Sequence, residues 1–371
     1  MDLPNDVLES VFLRLSMFEV ARSRTVCKSW NAVLCSRQFL ITHAESNNDD
    51  CVALFSQEGR KLVLYNDASP SWHSLSLDFL PVEFTDVISA AGGLVCIAGK
   101  SHGTYNICVA NPVTRSYKML PHIDEMPYLP AGAMVVSKNK AEGECSYKIA
   151  ILLVDGVALF SSLTSAWVKF ETLLPCVPQN PTFCNGSLYG LHYTPLSPWK
   201  WIWRIAYTKL DDACCSKEAW SELYHQHWGE ILDILHQPCL LESSDGCLLL
   251  IGGLGHSYAT DSCITLIILK LDLTTLEWSE AARMPHEFYV HFACNKDFKI
   301  FGHNGNVYFS SEATPRLLVC KFSVGQTTDD ELWKWVEDCP SGRNYKTTLL
   351  KRGKIQYYSF PRHGSFGVAH R

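Results

Sequence analysis

The N-terminal part of the chain carries apolar side chains at helical spacing. Over residues 6–15 these side chains follow one another in steps of one, three and four, which places them on one face of a helix. Asn5 or Asp6 can cap this helix, and Asp6 with Glu9 has the spacing of a capping box. Two further short helical stretches follow before residue 35. Three short helices bury little surface, so we expect this module to gain stability by docking its apolar face on a partner.

The pattern changes after a polar linker at residues 45–50. From residue 51 onward, an apolar strand, a polar turn and an aromatic strand recur, which predicts antiparallel β-structure. One aromatic residue marks each recurrence: Trp72, Tyr117, Trp167, Trp220, Trp278 and Trp333. These markers are separated by 45, 50, 53, 58 and 55 residues, and six markers at such a period indicate a repeat array.

Short turns between the strand-like runs define the repeat further. Asn185-Gly186 and Asn304-Gly305 are examples of turns that supply the positive φ angles of tight hairpins. Residues 51–371 number 321, about 53 for each of six blades, and four-stranded blades of this length are typical of a β-propeller. Since the first repeat is short, we expect strand material at the C-terminus to complete the first blade.

Composition agrees with a large folded core. Hydrophobic residues make up 47% of the chain and charged residues 19%, which excludes a disordered protein. With 32 basic and 38 acidic residues, the net charge of −6 does not indicate binding to nucleic acid or to an anionic membrane. The 16 cysteines include no C-x-x-C pair, and no run approaches the roughly 20 apolar residues that span a bilayer. We therefore expect a soluble intracellular protein with reduced thiols.

Charge is distributed unevenly along the chain. Residues 341–371 contain seven basic residues and no acidic one. We expect this basic segment to pair with acidic neighbouring blades as the ring closes. Binding to an acidic partner is the alternative.

Three motifs in the helical module are informative. They are Leu3-Pro4-x-Asp6-x-Leu8-x-x-Val11-Phe12-x-x-Leu15, then Arg24-x-Val26-Cys27-Lys28-x-Trp30, and then Ser36-x-x-Phe39. Together they resemble the F-box over residues 2–43. Ser16 departs from the family pattern, since many members carry Pro there, and we expect this to alter only a turn between helices.

The resemblance implies docking on the Skp adaptor of a cullin-based ubiquitin ligase, with the downstream domain binding a protein substrate. Carried over by position, the adaptor-facing residues are Leu3, Pro4, Leu8, Val11, Phe12, Leu15, Val26, Cys27 and Trp30. The alternative is that these residues only hold the helices together.

The repeats also resemble those of a known family. The motifs are Asn111-Pro112-x-Thr114, then Cys184-Asn185-Gly186-x-Leu188-Tyr189-Gly190, and then Leu276-Glu277-Trp278. They are similar to the kelch and F-box-associated propellers of plant F-box proteins. A double glycine occurs only at positions 92–93 and 252–253, so the repeats are degenerate. The sequence therefore predicts a small all-α three-helix F-box at 1–44, a linker at 45–50 and an all-β, six-bladed kelch-like propeller at 51–371.

Proline-rich and aromatic loops on one face of the propeller are candidates for substrate recognition. Such loops lose little entropy on binding, and exposed Tyr and Trp are common anchors. The candidate residues are Tyr128, Tyr193, Trp199, His256 and Tyr258. The alternative is that these aromatic side chains pack between blades.

Enzyme signatures are absent from the sequence. It has no G-x-S-x-G elbow and no P-loop. His225, His227 and His236 could ligate zinc, but no cysteine or carboxylate lies at a recognisable ligand spacing. We expect no catalytic residue, metal or cofactor in this chain.

The resemblance to plant F-box proteins, together with the absence of enzyme signatures, implies a non-catalytic substrate receptor that meets cullin and RING subunits through its adaptor, in the nucleus, the cytoplasm or both. One alternative is an F-box scaffold or transcriptional cofactor that acts without ubiquitination. Another is a propeller enzyme with an accessory helical module.

Overall fold

The computed structural model describes most of the chain. The described residues are 4–46, 50–56, 60–66, 70–101, 103–123, 126, 131–138, 145–172, 174, 176–197, 200–209, 220–225, 228, 231–232, 235–255, 263–293, 299–303, 305–311, 316–321, 332–337 and 350–354.

Four helices form the N-terminal module, where the sequence pattern predicts three. They are α1 (Asn5–Phe12), α2 (Met17–Ser23), α3 (Lys28–Leu34) and α4 (Arg37–Ser46). The fourth helix is largely polar, and Phe39, Leu40 and His43 are its buried residues among those whose exposure is described. The His43 Nε2 lies 2.8 Å from the Leu15 carbonyl oxygen, which fastens α4 to the turn after α1. The apolar period of α4 is therefore too weak to predict this helix from the sequence.

The predicted cap of the first helix is wrong. Helix α1 begins at Asn5 with Pro4 in the N-cap position, and no side chain caps it. The capping box lies instead at α2, where the Ser16 hydroxyl accepts a hydrogen bond from the Glu19 amide at 3.4 Å and the Ser16 amide donates to the Glu19 carboxylate at 2.8 Å. The family-atypical Ser16 therefore supplies a helix cap.

The remaining elements are twenty-four strands and one short helix within the described residues. The first twelve strands are β1 (Asp50–Ser56), β2 (Lys61–Asn66), β3 (Ser71–Ser76), β4 (Phe84–Ala91), β5 (Leu94–Ser101), β6 (Thr104–Asn111), β7 (Ser116–Met119), β8 (Gly132–Lys138), β9 (Cys145–Leu152), β10 (Gly156–Ser161), β11 (Ala166–Glu171) and β12 (Gln179–Cys184). The others are β13 (Ser187–Ser197), β14 (Lys200–Lys209), β15 (Ser221–Leu223), β16 (Leu235–Glu242), β17 (Leu248–Gly255), β18 (Cys263–Leu271), β19 (Trp278–Arg283), β20 (Lys299–His303), β21 (Asn306–Ser310), β22 (Leu317–Lys321), β23 (Trp333–Val336) and β24 (Leu350–Lys354). Helix α5 (His286–Tyr289) lies between β19 and β20.

Six antiparallel four-stranded sheets form a closed ring, which confirms the six-bladed propeller. Blade 1 has the order β24-β1-β2-β3, and blades 2 to 6 take four consecutive strands each, from β4 to β23. The first strands of neighbouring blades contact one another in the cyclic order β24, β4, β8, β12, β16, β20 and back to β24. Strand β24 pairs with β1, with Lys354 opposite Asp50, so the C-terminal strand is the innermost strand of blade 1.

The repeated aromatic markers all occupy one place in the blades. Five of them lie within the first two residues of the outermost strand, and Trp220 lies directly before β15. In three blades, the residue two positions before the marker has a positive φ angle: Arg115 at 54°, Ser165 at 53° and Leu276 at 58°. The sequence repeat thus corresponds to a structural repeat of turn and outermost strand.

Indole groups join neighbouring blades around the outside of the ring. The Trp72 Nε1–H of blade 1 donates to the carbonyl of Glu337, just after the outermost strand of blade 6, at 2.9 Å. The Trp167 Nε1–H of blade 3 donates to the carbonyl of Pro121, just after the outermost strand of blade 2, also at 2.9 Å. The markers therefore link each of these blades to the one before it.

We expect Trp167→Phe to lower the free energy of unfolding by about 1 kcal/mol more than Trp278→Phe, because only the first change removes an inter-blade hydrogen bond. The Trp278 Nε1 has no hydrogen-bond partner among the described residues, so it serves as the matched control. Urea unfolding of both variants measures the difference, and equal losses would contradict the bonding role of Trp167.

We expect the stabilisation by Glu19 to depend on pH. The hydrogen bonds from the Ser16 backbone and side chain lower the pKa of Glu19 below its ordinary 4.5. A carboxyl group with a lowered folded pKa stabilises the fold above its unfolded pKa, and this contribution is lost as the pH falls through the folded pKa. The advantage of the wild type over Glu19→Gln should therefore be full at neutral pH and shrink below pH 4.5. Unfolding of both proteins across this range is the test, and a constant difference would refute it.

Candidate functional site

The predicted adaptor residues divide by exposure into a buried and an exposed group. Leu8 is 7% exposed and Phe12 is 2% exposed, while Leu15 and Trp30 are half-buried. The Phe12 ring meets Trp30 edge-on, with centroids 5.0 Å apart, and meets Phe39 at 6.4 Å. Leu8 and Phe12 thus belong to the core of the helical module, where they hold α1 against the other helices.

The exposed group consists of apolar side chains that the helical module leaves uncovered. Val11 is 50% exposed and Val26 is 62% exposed, and Pro4 and Cys27 are also exposed. The sequence analysis missed Val7, which is 42% exposed one helical turn before Val11. Its spacing from Val11 is a signal that could have found it. We call these five residues the apolar helical surface. Leu3 lies outside the described residues.

Core contacts hold the start of α3, which carries Cys27, against α1, which carries Val7 and Val11. Cys27 is the N-cap residue of α3, and its Sγ accepts a hydrogen bond from the Trp30 amide at 3.4 Å. The Trp30 ring packs in turn on Phe12 of α1. The start of α3 is therefore tied to α1, and exposed apolar side chains on adjoining elements are typical of a protein-binding surface.

Sheet topology separates two edges of the propeller. In each blade, the loops between the first and second strands and between the third and fourth strands lie at one edge, which we call the helix edge. The loops between the second and third strands and the connections to the next blade lie at the opposite edge, which we call the distal edge. The helices belong to the helix edge, because the second strand of blade 1 begins there at Asp50 and Arg24 bonds to the turn of residues 112–115 in blade 2.

One of the five predicted substrate residues belongs to the described part of the chain. Tyr193 is described, and Tyr128, Trp199, His256 and Tyr258 lie outside the described residues. The Tyr193 ring is half-buried, with its centroid 3.6 Å from that of Trp203, and burial raises the pKa of its phenol. Its amide donates to the Cys176 Sγ at 3.3 Å. Tyr193 therefore packs against its own blade and presents only part of its ring.

Exposed aliphatic side chains on the distal edge escaped the sequence analysis. Val82 is 75% exposed between blades 1 and 2, and Val154 is 76% exposed between β9 and β10. Val290 is 47% exposed just after α5. Single valines in short loops carry no pattern, so the sequence does not mark them as candidates.

Helix α5 and the end of blade 6 form an aromatic cluster at the distal edge. Trp335 lies 5.7 Å from Phe288, 5.2 Å from His291 and 6.1 Å from Phe292, measured between ring centroids. The Arg316 guanidinium lies 5.3 Å from the Trp335 ring centroid. Pro285 in the N-cap position is the sequence signal for α5. The cluster gives this part of the distal edge a rigid, mixed aromatic and cationic surface.

A buried histidine lies beside a carboxylate inside blade 4. The His192 side chain is fully buried, and its Nε2 lies 3.2 Å from a carboxylate oxygen of the half-exposed Glu222. Burial lowers the pKa of His192, although Glu222 opposes this shift. The lowered pKa favours neutral His192.

The described residues include neither a metal-binding cluster nor a membrane-spanning helix. In that part of the chain, no three His, Cys, Asp or Glu side chains are grouped so that they could hold a metal ion. His227, one of the candidate zinc ligands, lies outside it. No described helix is long and apolar enough to cross a membrane.

Known proteins resemble this chain over both parts. Residues 1–42 match the F-box domain family, which confirms the resemblance seen in the sequence. SKP1-interacting partner 15 of Arabidopsis thaliana is 29% identical over 367 residues, which cover 91% of this chain and 92% of the relative. An F-box/kelch-repeat protein of the same plant is 24% identical, over 94% of this chain and 87% of the relative. Among solved structures, TolB of Acinetobacter baumannii covers 77% of this chain and 62% of its own, with a TM-score of 0.45 and 8% identity.

We expect core and surface positions of α1 to respond differently to substitution. Phe12→Ala should lower the free energy of unfolding of the helices by about 3–5 kcal/mol, because it opens a cavity in the core. Val11→Ser should change it by less than about 0.5 kcal/mol, because the side chain is half exposed. Hydrogen exchange of the amides in α1–α4 measures both effects. A large loss of protection in Val11→Ser would show that this residue belongs to the core.

Proposed function

We propose that this chain, an F-box domain followed by a six-bladed β-propeller, is the substrate receptor of a Skp-cullin-F-box ubiquitin ligase. The observation that carries the proposal is the apolar helical surface, which the fold leaves uncovered on a domain that matches the F-box family. The similarity to SKP1-interacting partner 15, a protein named for its interaction with SKP1, extends over 91% of this chain and supports adaptor binding by the joined domains.

The adaptor binds the apolar helical surface in this proposal. Val7, Val11 and Val26 are large hydrophobic side chains exposed there, and burying such side chains drives protein association. Leu8 and Phe12 act indirectly, because they hold α1 in place from within the core. Leu3 and Pro4 remain predicted contacts.

The substrate binds at the distal edge in this proposal. This edge lies opposite the helices, so a bound adaptor leaves it accessible. Val82, Val154 and the cluster around Trp335 join the predicted contacts Tyr128, Tyr193, Trp199, His256 and Tyr258. Rigid aromatic groups and exposed aliphatic side chains on one edge are suited to binding a protein.

The chain contributes proximity rather than chemistry. Cullin and RING subunits join through the adaptor, and the substrate lysine is brought close to a ubiquitin-conjugating enzyme, which raises the effective concentration of the reacting groups. We propose the nucleus, the cytoplasm or both as its location, and we propose that this chain carries no catalytic residue.

We expect Val11→Asp and Val26→Asp together to abolish binding to a recombinant Skp adaptor, because they place two charges in an apolar contact. Leu163→Asp is the matched control, since Leu163 is 69% exposed but lies in blade 3. Calorimetry with each protein measures the affinity. Undiminished binding by the double variant, with a normal hydrogen-exchange pattern, would refute the assigned surface.

We expect the same double variant to accumulate undegraded substrates, because it retains the distal edge and loses the adaptor. Proximity labelling with this double variant should enrich its substrates. Adding Val154→Asp and Val290→Asp to the double variant should remove these proteins from the labelled set. A reconstituted ubiquitination assay then tests these proteins with wild-type receptor. Adaptor binding without cullin recruitment or ubiquitin transfer would instead favour a scaffold.

A further inference from the structure

The helices and the propeller share one hydrophobic core. Three buried propeller side chains belong to the cluster formed by the buried side chains of the helices: Cys51 at 4% exposure, Leu64 at 3% and Val113 at 4%. Cys51 and Leu64 come from blade 1, and Val113 comes from the turn between β6 and β7 in blade 2. The core of the F-box domain is therefore completed by side chains of two blades.

A comparison between blades shows what the helices cover. Val113 lies two residues before Arg115, and Leu163 lies two residues before Ser165, the residues with positive φ in their respective turns. The same turn position is thus 4% exposed in blade 2 and 69% exposed in blade 3. The difference arises because the helices pack on the turn of blade 2.

Arg24 fastens this turn to the helices. Its Nη1–H donates to the Val113 carbonyl and its Nη2–H donates to the Thr114 carbonyl, the latter at 3.4 Å. Its Nε–H donates to the Asn31 side chain of α3 at 3.1 Å. The Asn111 Oδ1 accepts hydrogen bonds from the Val113 and Thr114 amides at 3.0 and 3.1 Å, so the turn is braced from within.

A ring stack adds a second point of attachment. The Phe18 ring of α2 lies on the His73 ring of β3, with centroids 3.6 Å apart and planes 12° from parallel. The His73 Nε2 lies 2.9 Å from the Ser71 hydroxyl, which limits rotation of the imidazole. Two attachments on different blades resist both sliding and rotation of the helices.

We propose that the propeller completes the F-box fold and fixes its direction, with Arg24 as the positioning residue. Isolated helices as short as α1–α4 are marginal in water, so the burial that stabilises them comes in part from blades 1 and 2. The part of this proposal that concerns adaptor binding rests on the proposed function. Adaptor docking then requires that blades 1 and 2 are folded. The fold also fixes the direction from the bound adaptor to the distal edge.

Hydrogen exchange of the full chain tests the coupling. Val113→Asp and Arg24→Ala should lower protection in α1–α4, while blades 4 and 5 keep theirs and report that the propeller is folded. Leu163→Asp is the matched control for Val113, and Arg22→Ala, an exposed neighbour, is the control for Arg24. Unchanged protection of α1–α4 in Val113→Asp, or an equal loss in Leu163→Asp, would overturn the inference. If Val113→Asp unfolds the whole chain, Arg24→Ala decides alone.

Distances test the fixed direction. Labels introduced as noncanonical amino acids at the exposed Gln38 and Lys334 avoid the 16 cysteines. Pulsed dipolar spectroscopy should give one narrow distance distribution for the wild type and the Arg22→Ala control. It should give a broadened distribution for Arg24→Ala. A broad distribution in the wild type, or a narrow one in Arg24→Ala, would overturn the positioning role.

Adaptor affinity separates this inference from the proposed function. If Val113→Asp reduces the folded F-box population to about a tenth, the apparent affinity for a recombinant Skp adaptor should fall about tenfold. Leu163→Asp should bind as the wild type does. Failure of the wild type to bind would refute the proposed function and leave the exchange result to judge the coupling. Full affinity in a Val113→Asp protein with unprotected helices would contradict the claim that docking requires the completed fold.

Discussion

The pairing of β24 with β1 is the constraint on which the rest of the structure depends. It joins the C-terminal strand to the first strand after the helices, with Lys354 opposite Asp50, and closes six sheets into a ring. The next residue of β1, Cys51, is buried in the core of the helices. One strand therefore closes the propeller and carries the F-box domain, so the stability of each part contributes to the other.

Strand direction separates the two surfaces of the molecule. Because antiparallel strands alternate in direction, the loops of each blade are divided between two edges. The helices occupy one edge and leave the other exposed at side chains such as Val82 and Val154. In the proposed receptor, the core shared by the helices and blades 1 and 2 sets the distance between the adaptor-binding surface and the distal edge.

The architecture was largely predictable, because it depends on local repeats. The six aromatic markers fall at or directly before the outermost strands, and turns such as Asn185-Gly186 have the positive φ angles that their composition predicts. Helices α4 and α5 were not found, since α4 is mostly polar and α5 spans four residues. The cap of α1 was placed wrongly because Asn5 and Asp6 are common caps, and sequence alone does not show that Pro4 already occupies that position.

By itself, the sequence determined the elements, the repeat and the resemblance to the F-box, because these depend on spacing within short segments. Only the tertiary structure decided which apolar residues are surface and which are core. Val11 and Phe12 are neighbours in one motif, yet one is 50% exposed and the other 2%. Val113 and Leu163 hold the same turn position, yet only Val113 is covered by the helices. Exposure depends on contacts between residues far apart in the chain, and no local pattern records those contacts.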